Sequence, residues 1–424
     1  MRELVQVISI IRFPLQEIDK QTTFTEQRTR VNGLSISRIN PSDLRILRDA
    51  GTSITTVLKA VMQHNPVPYL KHGPGVVSET SDMLKKREVR FCSESLKDFS
   101  HFLPFLDPIW VPGVSRTIIV PKDHKSLRTI AGEPAWTQWI QQGYMKIMMR
   151  VIERHPSFRN RITFDDQTRQ HALLKGRVAT IDLSDASDSI RWKHMLLLGL
   201  PLDVRSWLAN LRTPMTRFRG RFYPTIGVFP MGAALCFPFE TLFFASLVVA
   251  WSRAETGQAP PTWGVFGDDI IITDSLYGGF CAFLRRIGLS PNMSKSFCGC
   301  GFLETCGLYL YKGVDITPVK IKKPPPELDS DETNLTYMEY ADRLDRYTYH
   351  HLAQFLRSHV KYPFGATRWN RDYQRQEYRS LSFKSMCKKN TFYTYPEALI
   401  SGTGQVSYGG ITPSHDWLPI KVGR

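Results

Sequence analysis

A chain of 424 residues, 42% hydrophobic and 12% aromatic, carries enough apolar material for a large core, which excludes a largely disordered protein. Its 55 Lys and Arg against 39 Asp and Glu leave a net charge of +16, an excess that favours a polyanionic partner such as nucleic acid through counterion release. Seven cysteines, an odd set without a Cys-x-x-Cys pair, fit a reducing compartment and not a disulfide scaffold. Cys298, Cys300 and Cys306 lie close in sequence but have no fourth Cys or His nearby to complete a zinc site.

Residues 1–20 include Glu3 and Arg12, and no small-residue cleavage site follows, so a secretory signal is not expected. The stretches "NPSDLRILR" (40–48) and "SESLKDFSHF" (93–102) open with capping residues, which predicts helices. In "SRTIIVPKDHKSLRTIAGEPAW" (115–136), short strands over 117–120 and 128–131 flank a basic turn, and a helix is expected over 136–151. "GRVATIDLSDASDSI" (176–190) runs from a buried strand at 178–183 into a polar loop that starts a helix. Residues 231–251 have membrane-spanning length, but Pro238 and Glu240 near their middle favour a buried helix. A Gly/Pro-rich break precedes "VFGDDIIITD" (265–274), and a helix closed by glycine is expected over 276–288. Three consecutive prolines in "IKKPPPELDSDETN" (321–334) mark the clearest boundary, with a helix predicted over 336–362.

The chemistry concentrates in "VFGDDIIITD". Gly267, Asp268 and Asp269 join two β-branched or aromatic runs, which predicts a buried hairpin with the acids at its tip. Asp165 and Asp166 repeat the Asp-Asp step without such flanks. Two carboxylates held together resist joint ionisation unless a cation compensates or one protonates, and oxygen ligands favour Mg2+ or Mn2+. A plain surface turn is the competing reading. Asp182, ending an apolar strand, is the candidate third carboxylate. Asp182, Asp268 and Asp269 together could hold two cations, one activating a hydroxyl and both stabilising charge at phosphorus. Asp185 and Asp188 read more simply as helix N-caps.

An anionic substrate needs cations opposite these acids. Lys122, Lys125 and Arg128 recur every third residue in the basic turn, as a triphosphate clamp or as a solvated loop. Lys295 in "SPNMSKSF" is a candidate proton donor to a leaving pyrophosphate, or a surface lysine. Met231 and Gly232 open the apolar helix, where a glycine lets backbone approach a nucleotide or template. Glu240 inside that helix must be paired or face a polar cavity. Residues 367–395 interleave Arg and Lys with Trp369, Tyr373, Tyr378 and Phe383, which suits either RNA contact or an exposed amphipathic segment.

In this order, "DLSDASDSI", "MGAALCFPFETLFFASL", "VFGDDIII", "SPNMSKSF" and "GFLETCGLYLYKGVDITP" resemble the palm of RNA-directed RNA polymerases. With "IIVPKDHKSLRTIAGEP" upstream, the chain more closely resembles the replicase beta subunits of the single-stranded RNA bacteriophages, the leviviruses, over roughly residues 116–318. The resemblance implies an α+β right-hand polymerase with fingers, a palm of antiparallel sheet backed by helices, and a thumb. Residues 1–175 would hold the N-terminal region and fingers. Residues 176–320 would hold the palm with a finger insertion at about 192–228, and 321–424 the thumb and a C-terminal RNA-contacting region.

By the same resemblance, Asp182 is the first metal-binding aspartate, Asp268 and Asp269 the catalytic pair, and Asp188 the residue that senses the incoming ribose. Lys122, Lys125 and Arg128 would meet the triphosphate, Met231 and Gly232 the nucleotide, and Lys295 would donate the proton. The implied partners are RNA template and product, ribonucleoside triphosphates, Mg2+ with Mn2+ as substitute, and host elongation factors Tu and Ts with a ribosomal protein. The implied setting is the cytoplasm of an infected bacterium, without a membrane. The chain departs from the phage pattern at Ala233, where those replicases carry asparagine after the Met-Gly step, which leaves the means of choosing ribose open. Two rivals stand beside this reading. One is a reverse transcriptase, whose Tyr/Phe-x-Asp-Asp hairpin residues 266–269 formally fit. The other is a non-catalytic basic RNA-binding protein with the acids as turn formers.

Overall fold

A computed structural model describes residues 19–34, 36, 39–82, 84–105, 107–122 and 126–317, then 337–338, 340–342, 344–345 and 349–358, and beyond these the backbone of five strands. Helix α1 (Lys20–Gly33) starts at Asp19, whose carboxylate accepts from the N–H groups of Gln21 and Thr22. It is polar nearly all round and buries Phe24 and Val31. Helix α2 (Pro41–Met62) starts at Asn40, whose side chain accepts from the Asp43 N–H at 2.7 Å, with proline at the first position. Ile46, Leu47, Ala50, Ile54, Val57, Leu58 and Val61 recur at helical spacing on its buried face, and the helix continues well beyond the capped stretch 40–48.

Strands β1 (Phe91–Ser93) and β2 (Ile109–Val111) pair in parallel, and residues 94–102 between them form a 3-10 helix. Strands β3 (Val114–Pro121) and β4 (Leu127–Gly132) make the expected antiparallel hairpin, its turn closed by the Lys122 N–H donating to Ser126 O at 3.0 Å. Then come α3 (Ala135–Arg154), α4 (Thr168–Leu173) and β5 (Val178–Ile181). Helices α5 (Ala186–Ser189), α6 (Trp192–Leu197) and α7 (Leu202–Leu211) lead to β6 (Met215–Phe218) and β7 (Arg221–Pro224). Strand β6 pairs in parallel with β3, giving a four-stranded sheet in the order β4-β3-β6-β7. The segment expected as an insertion thus extends the hairpin that carries Lys122 and Arg128.

Helix α8 (Cys236–Thr256) begins later than the expected start at 231. Its residues from Pro238 to Ser252 are buried on every face, as in a helix at the centre of a core. Among the described residues no helix is long and apolar enough to cross a membrane. Against α8 packs β8 (Trp263–Phe266), which joins β9 (Asp269–Thr273) and β5 in an antiparallel sheet of order β5-β9-β8. Alternation explains the isoleucine run. Ile270 and Ile272 face the main core with Ile181 and Ala179, while Ile271 and Val178 face a smaller cluster with Leu303, Leu308 and Leu310. Both faces of the sheet are therefore buried. After α9 (Tyr277–Arg286), strands β10 (Phe302–Thr305), β11 (Leu308–Tyr311) and β12 (Val314–Asp315) form the sheet that supplies this second cluster.

Residues 15–317 are one unit with mixed helices and largely antiparallel sheets, an α+β architecture; residues 1–14 with 318–424 are a second. In the second unit, α10 (His350–Ser358) packs Leu352, Ala353 and Leu356 with Ala341 and Leu344, and Arg357 pairs with Asp342 and Asp345. Strands β13 (Gly365–Asn370) and β14 (Arg375–Ser380) form a hairpin, and β15 (Thr391–Tyr395) lies between β16 (Ala398–Ser401) and β17 (Leu418–Lys421). The boundary expected at 321–334 and the side chains of the basic and aromatic stretch 367–395 lie outside the described residues.

Candidate active site

The register of β5 and β9 decides where the acids go. Ile181 stands opposite Ile270, and one step further Asp182 leaves β5 while Asp269 opens β9. Asp268 lies in the two-residue turn between β8 and β9, which the pair Phe266 and Asp269 closes. Gly267 takes φ 64° at the first turn position, the left-handed conformation that a type II′ hairpin requires there. Its N–H donates to Thr241 Oγ1 of α8 at 2.9 Å, and that hydroxyl donates to Phe237 O at 2.9 Å. The rings of Phe237 and Phe266 meet edge to face, 4.8 Å between centroids. The core helix thus holds the hairpin tip by a hydrogen bond and a ring contact.

Each carboxylate has its own surroundings. Asp182 Oδ2 accepts from Asn292 Nδ2 at 3.0 Å, and its backbone N–H donates to Ser296 Oγ at 3.1 Å. Burial raises the pKa of Asp182, the charge of Asp268 adds to this, and Lys295, Asn292 and Lys122 oppose it. Asp268 is also raised by burial, opposed by its own N–H and by the charges of Arg128, Lys122 and Lys295. Burial and then Asp268 push Asp269 up to about 7, although its Oδ2 accepts from the Cys306 N–H at 3.2 Å in the turn between β10 and β11. Glu240 lies 3.7 Å from the point where a side chain on Gly267 would begin. Burial holds its carboxyl well above the usual range, and Asp268, Asp188 and Asp269 add to the shift.

Asp182, Asp268 and Glu240 share with the basic hairpin one open cleft of about 450 Å3, lined also by Lys122, Arg128, Asp188 and Met231; Asp269 is not among its lining residues. Lys295 is exposed and does not line the cleft, yet its charge acts on both Asp182 and Asp268. Lys125 lies outside the described residues. Gly232 has φ 106°, and a side chain there would meet Ala131 O at 2.2 Å. The close approach it permits is therefore to β4, where the Ala131 N–H also donates to Met231 O at 2.7 Å. Carboxylate oxygens that raise one another's pKa form a hard, charge-rich donor set of the kind that suits a divalent cation, and Asp182 and Asp268, which face the same cleft, fit it best. Among the described residues no three His, Cys, Asp or Glu side chains already stand at metal-binding spacing.

The capping expectation for the loop after β5 needs correction. Asp185 occupies the N-cap position of α5 but makes no capping hydrogen bond. Its carboxylate instead pairs in bidentate fashion with Arg30 of α1, at 2.9 and 3.2 Å. Asp188 lies inside α5, and its Oδ2 accepts from Gln27 Nε2 at 2.6 Å. Sequence reasoning missed Gln27, Arg30, Thr241, Asn292 and the Cys306 N–H. Asn292 was within reach, since it shares the polar turn "SPNMSKSF" with Lys295. The signal for α1 is subtler: a helix without an apolar stripe must be held by polar contacts.

The sequence profile described as RNA replicase, beta-chain, matches residues 107–330. The RNA-directed RNA polymerase subunit beta of Enterobacteria phage SP is 32% identical over 212 residues, which cover 50% of this chain and 36% of that protein. The RNA-directed RNA polymerase beta chain of Enterobacteria phage GA is 33% identical over 216 residues, covering 48% and 38%. The match thus spans little more than a third of the length of either relative. The crystal structure of the RNA-dependent RNA polymerase of a human picobirnavirus aligns over 85% of this chain and 72% of its own, at 12% identity and a TM-score of 0.46. The matched profile covers more than half of the chain and takes in both hairpins, the strand that ends at Asp182 and the core helix; the chain belongs to the RNA replicase beta-chain family.

Proposed function

We propose that this chain is an RNA-directed RNA polymerase that copies a phage RNA genome in the cytoplasm of an infected bacterium. The observation that carries the proposal is the meeting of Asp182 and Asp268, ends of two strands of one antiparallel sheet, in a cleft shared with Lys122 and Arg128. In this reading the sheet of β5, β9 and β8 with α8 is the palm, the sheet of β3, β4, β6 and β7 belongs to the fingers, and residues beyond 320 form the thumb and an RNA-contacting region. Template and growing RNA strand occupy the cleft with the incoming ribonucleoside triphosphate.

Asp182 and Asp268 are the proposed ligands of Mg2+, with Mn2+ as substitute. When bound there, such a cation lowers the pKa of the attacking hydroxyl and offsets charge at phosphorus. Asp269 contributes negative charge behind them and, through the Cys306 N–H, fixes the hairpin against β10 and β11. Lys122 and Arg128, with Lys125 of the same turn, bind the triphosphate and align it with the 3′-hydroxyl of the RNA. A bond forms from that 3′-oxygen to the α-phosphorus as the hydroxyl proton passes to solvent, and the bond to pyrophosphate breaks. Lys295 gives a proton to the departing pyrophosphate. Met231 forms part of the wall beside the nucleotide, and Gly232 seats its loop against β4.

The test is incorporation of labelled nucleotides by the purified chain on a short RNA with Mg2+, with and without bacterial extract. Synthesis from ribonucleotides alone supports the proposal, and synthesis from deoxyribonucleotides alone would make the chain a reverse transcriptase. Synthesis only with extract would point to host subunits, for which elongation factors Tu and Ts and a ribosomal protein are the candidates. No synthesis in either arm, with RNA binding intact, would favour a non-catalytic RNA-binding protein.

A further inference from the structure

Helix α1 buries only Phe24 and Val31, yet it lines the cleft through Thr23, Gln27 and Arg30. Its position is fixed away from the cleft. Phe24 packs against Phe218 and Tyr223 of β6 and β7, with centroids 4.4 and 5.0 Å apart, and Arg28 Nη1 donates to Pro224 O at 3.1 Å. From that anchorage Gln27 Nε2 reaches Asp188 Oδ2 at 2.6 Å. The backbone beneath Asp188 is held in turn, because Arg191 bridges to Gly227 and the Val228 N–H donates to Ile190 O at 2.8 Å.

From the segment that follows Asp188 in this cleft, Met231 adds an apolar side chain, and Cys236 and Glu240 of α8 line the same wall. A hydroxyl entering there meets a carboxylate that accepts, and a carboxamide that retains a second N–H and a carbonyl oxygen. Such a pair can accept from and donate to the same group. A sugar lacking the hydroxyl would leave desolvated polar atoms without a partner, and that penalty discriminates more strongly than a lost contact.

Resting on the reading of the cleft as a nucleotide site, we infer that Gln27 is a specificity residue that recognises, together with Asp188, the 2′-hydroxyl of the incoming ribonucleotide. Gln27 touches the sugar and takes no part in bond formation.

Equilibrium binding of ATP and 2′-deoxyATP to the full chain in Mg2+ tests this without requiring turnover. The unsubstituted chain should bind ATP about tenfold or more tightly than 2′-deoxyATP. Gln27→Ala should weaken ATP by about that factor and leave 2′-deoxyATP nearly unchanged. Phe24→Leu, which loosens α1 without touching the pair, should change both affinities in proportion. An equal loss for both nucleotides in Gln27→Ala, or a ribose preference that survives it, overturns the inference while leaving the polymerase reading intact. Failure of the unsubstituted chain to bind either nucleotide would sink both. Ribose-selective binding that depends on Gln27 would uphold this inference even in a chain that incorporates nothing.

Discussion

Two segments bring acids to the same cleft by opposite means. The hairpin of β8 and β9 is specified nearly within itself: apolar strands, a two-residue turn with glycine first, and one anchoring hydroxyl from Thr241. The loop after β5 has no such local logic. Its acids are held by Arg30 and Gln27 from α1, its following backbone by Gly227 and Val228, and its strand end by Asn292 and Ser296. The hairpin acids are thus placed chiefly by secondary structure, while the acids at and after the end of β5 are placed by tertiary contacts. Substitutions far away in sequence should disturb the second set and spare the first.

The largest effect is expected where the two segments meet. Asp182→Asn should cut RNA synthesis by about a thousandfold or more, as expected for loss of a metal-binding carboxylate. Asp269→Asn should cost only about tenfold to a hundredfold, because its carboxylate is engaged by the Cys306 N–H. Single-turnover extension measures both. Equal losses would erase the distinction between a ligand and an acid that shapes the site.

A second prediction bears on the loop's long-range support. His194 in α6 is fully buried, with Nδ1 accepting from the Arg191 N–H at 3.0 Å and Nε2 facing Ile287 O at 2.9 Å. Burial lowers its pKa from 6.5 to about 4, although the hydrogen bond to Ile287 O opposes the shift. The unfolded chain takes up the proton near pH 6.5 and the folded chain only near pH 4. The contribution is therefore complete above pH 6.5 and is lost as pH falls towards 4, by about 3 kcal/mol in total. Denaturant titrations across this window should show His194→Gln losing less stability than the parent chain by that amount. Parallel pH curves for the two would remove His194 as the source.

The hairpin's own dependence on its neighbours is smaller. Thr241→Val removes the acceptor for the buried Gly267 N–H and should lower stability by about 1–3 kcal/mol. A thermal unfolding midpoint unchanged by this substitution would mean that the tip holds itself.

This contrast also explains what could be read from the sequence. The strands around Asp182, the hairpin tip, the basic hairpin and the core helix were legible because alternation, a glycine turn and an all-apolar helix are local patterns. The capping signal placed the start of α2, while the start of α8 moved because a loop precedes the helix. The roles of Asp185 and Asp188 were not legible as caps, because their partners lie on α1, more than 150 residues earlier. Periodicity carries no information about a polar helix docking on a distant loop. Gly232 likewise read as backbone opened to a ligand, whereas its close contact is with Ala131 of β4.

Asp268, at the tip of the β8 and β9 hairpin, is the carboxylate proposed to serve nucleotidyl transfer. The most direct test of this role compares the chain with its Asp268→Asn variant in single-turnover extension of an RNA primer on a short template with Mg2+, alongside RNA affinity. Near-complete loss of extension with RNA binding largely kept is the expected result. Extension by the variant at a rate comparable to the parent chain would contradict it.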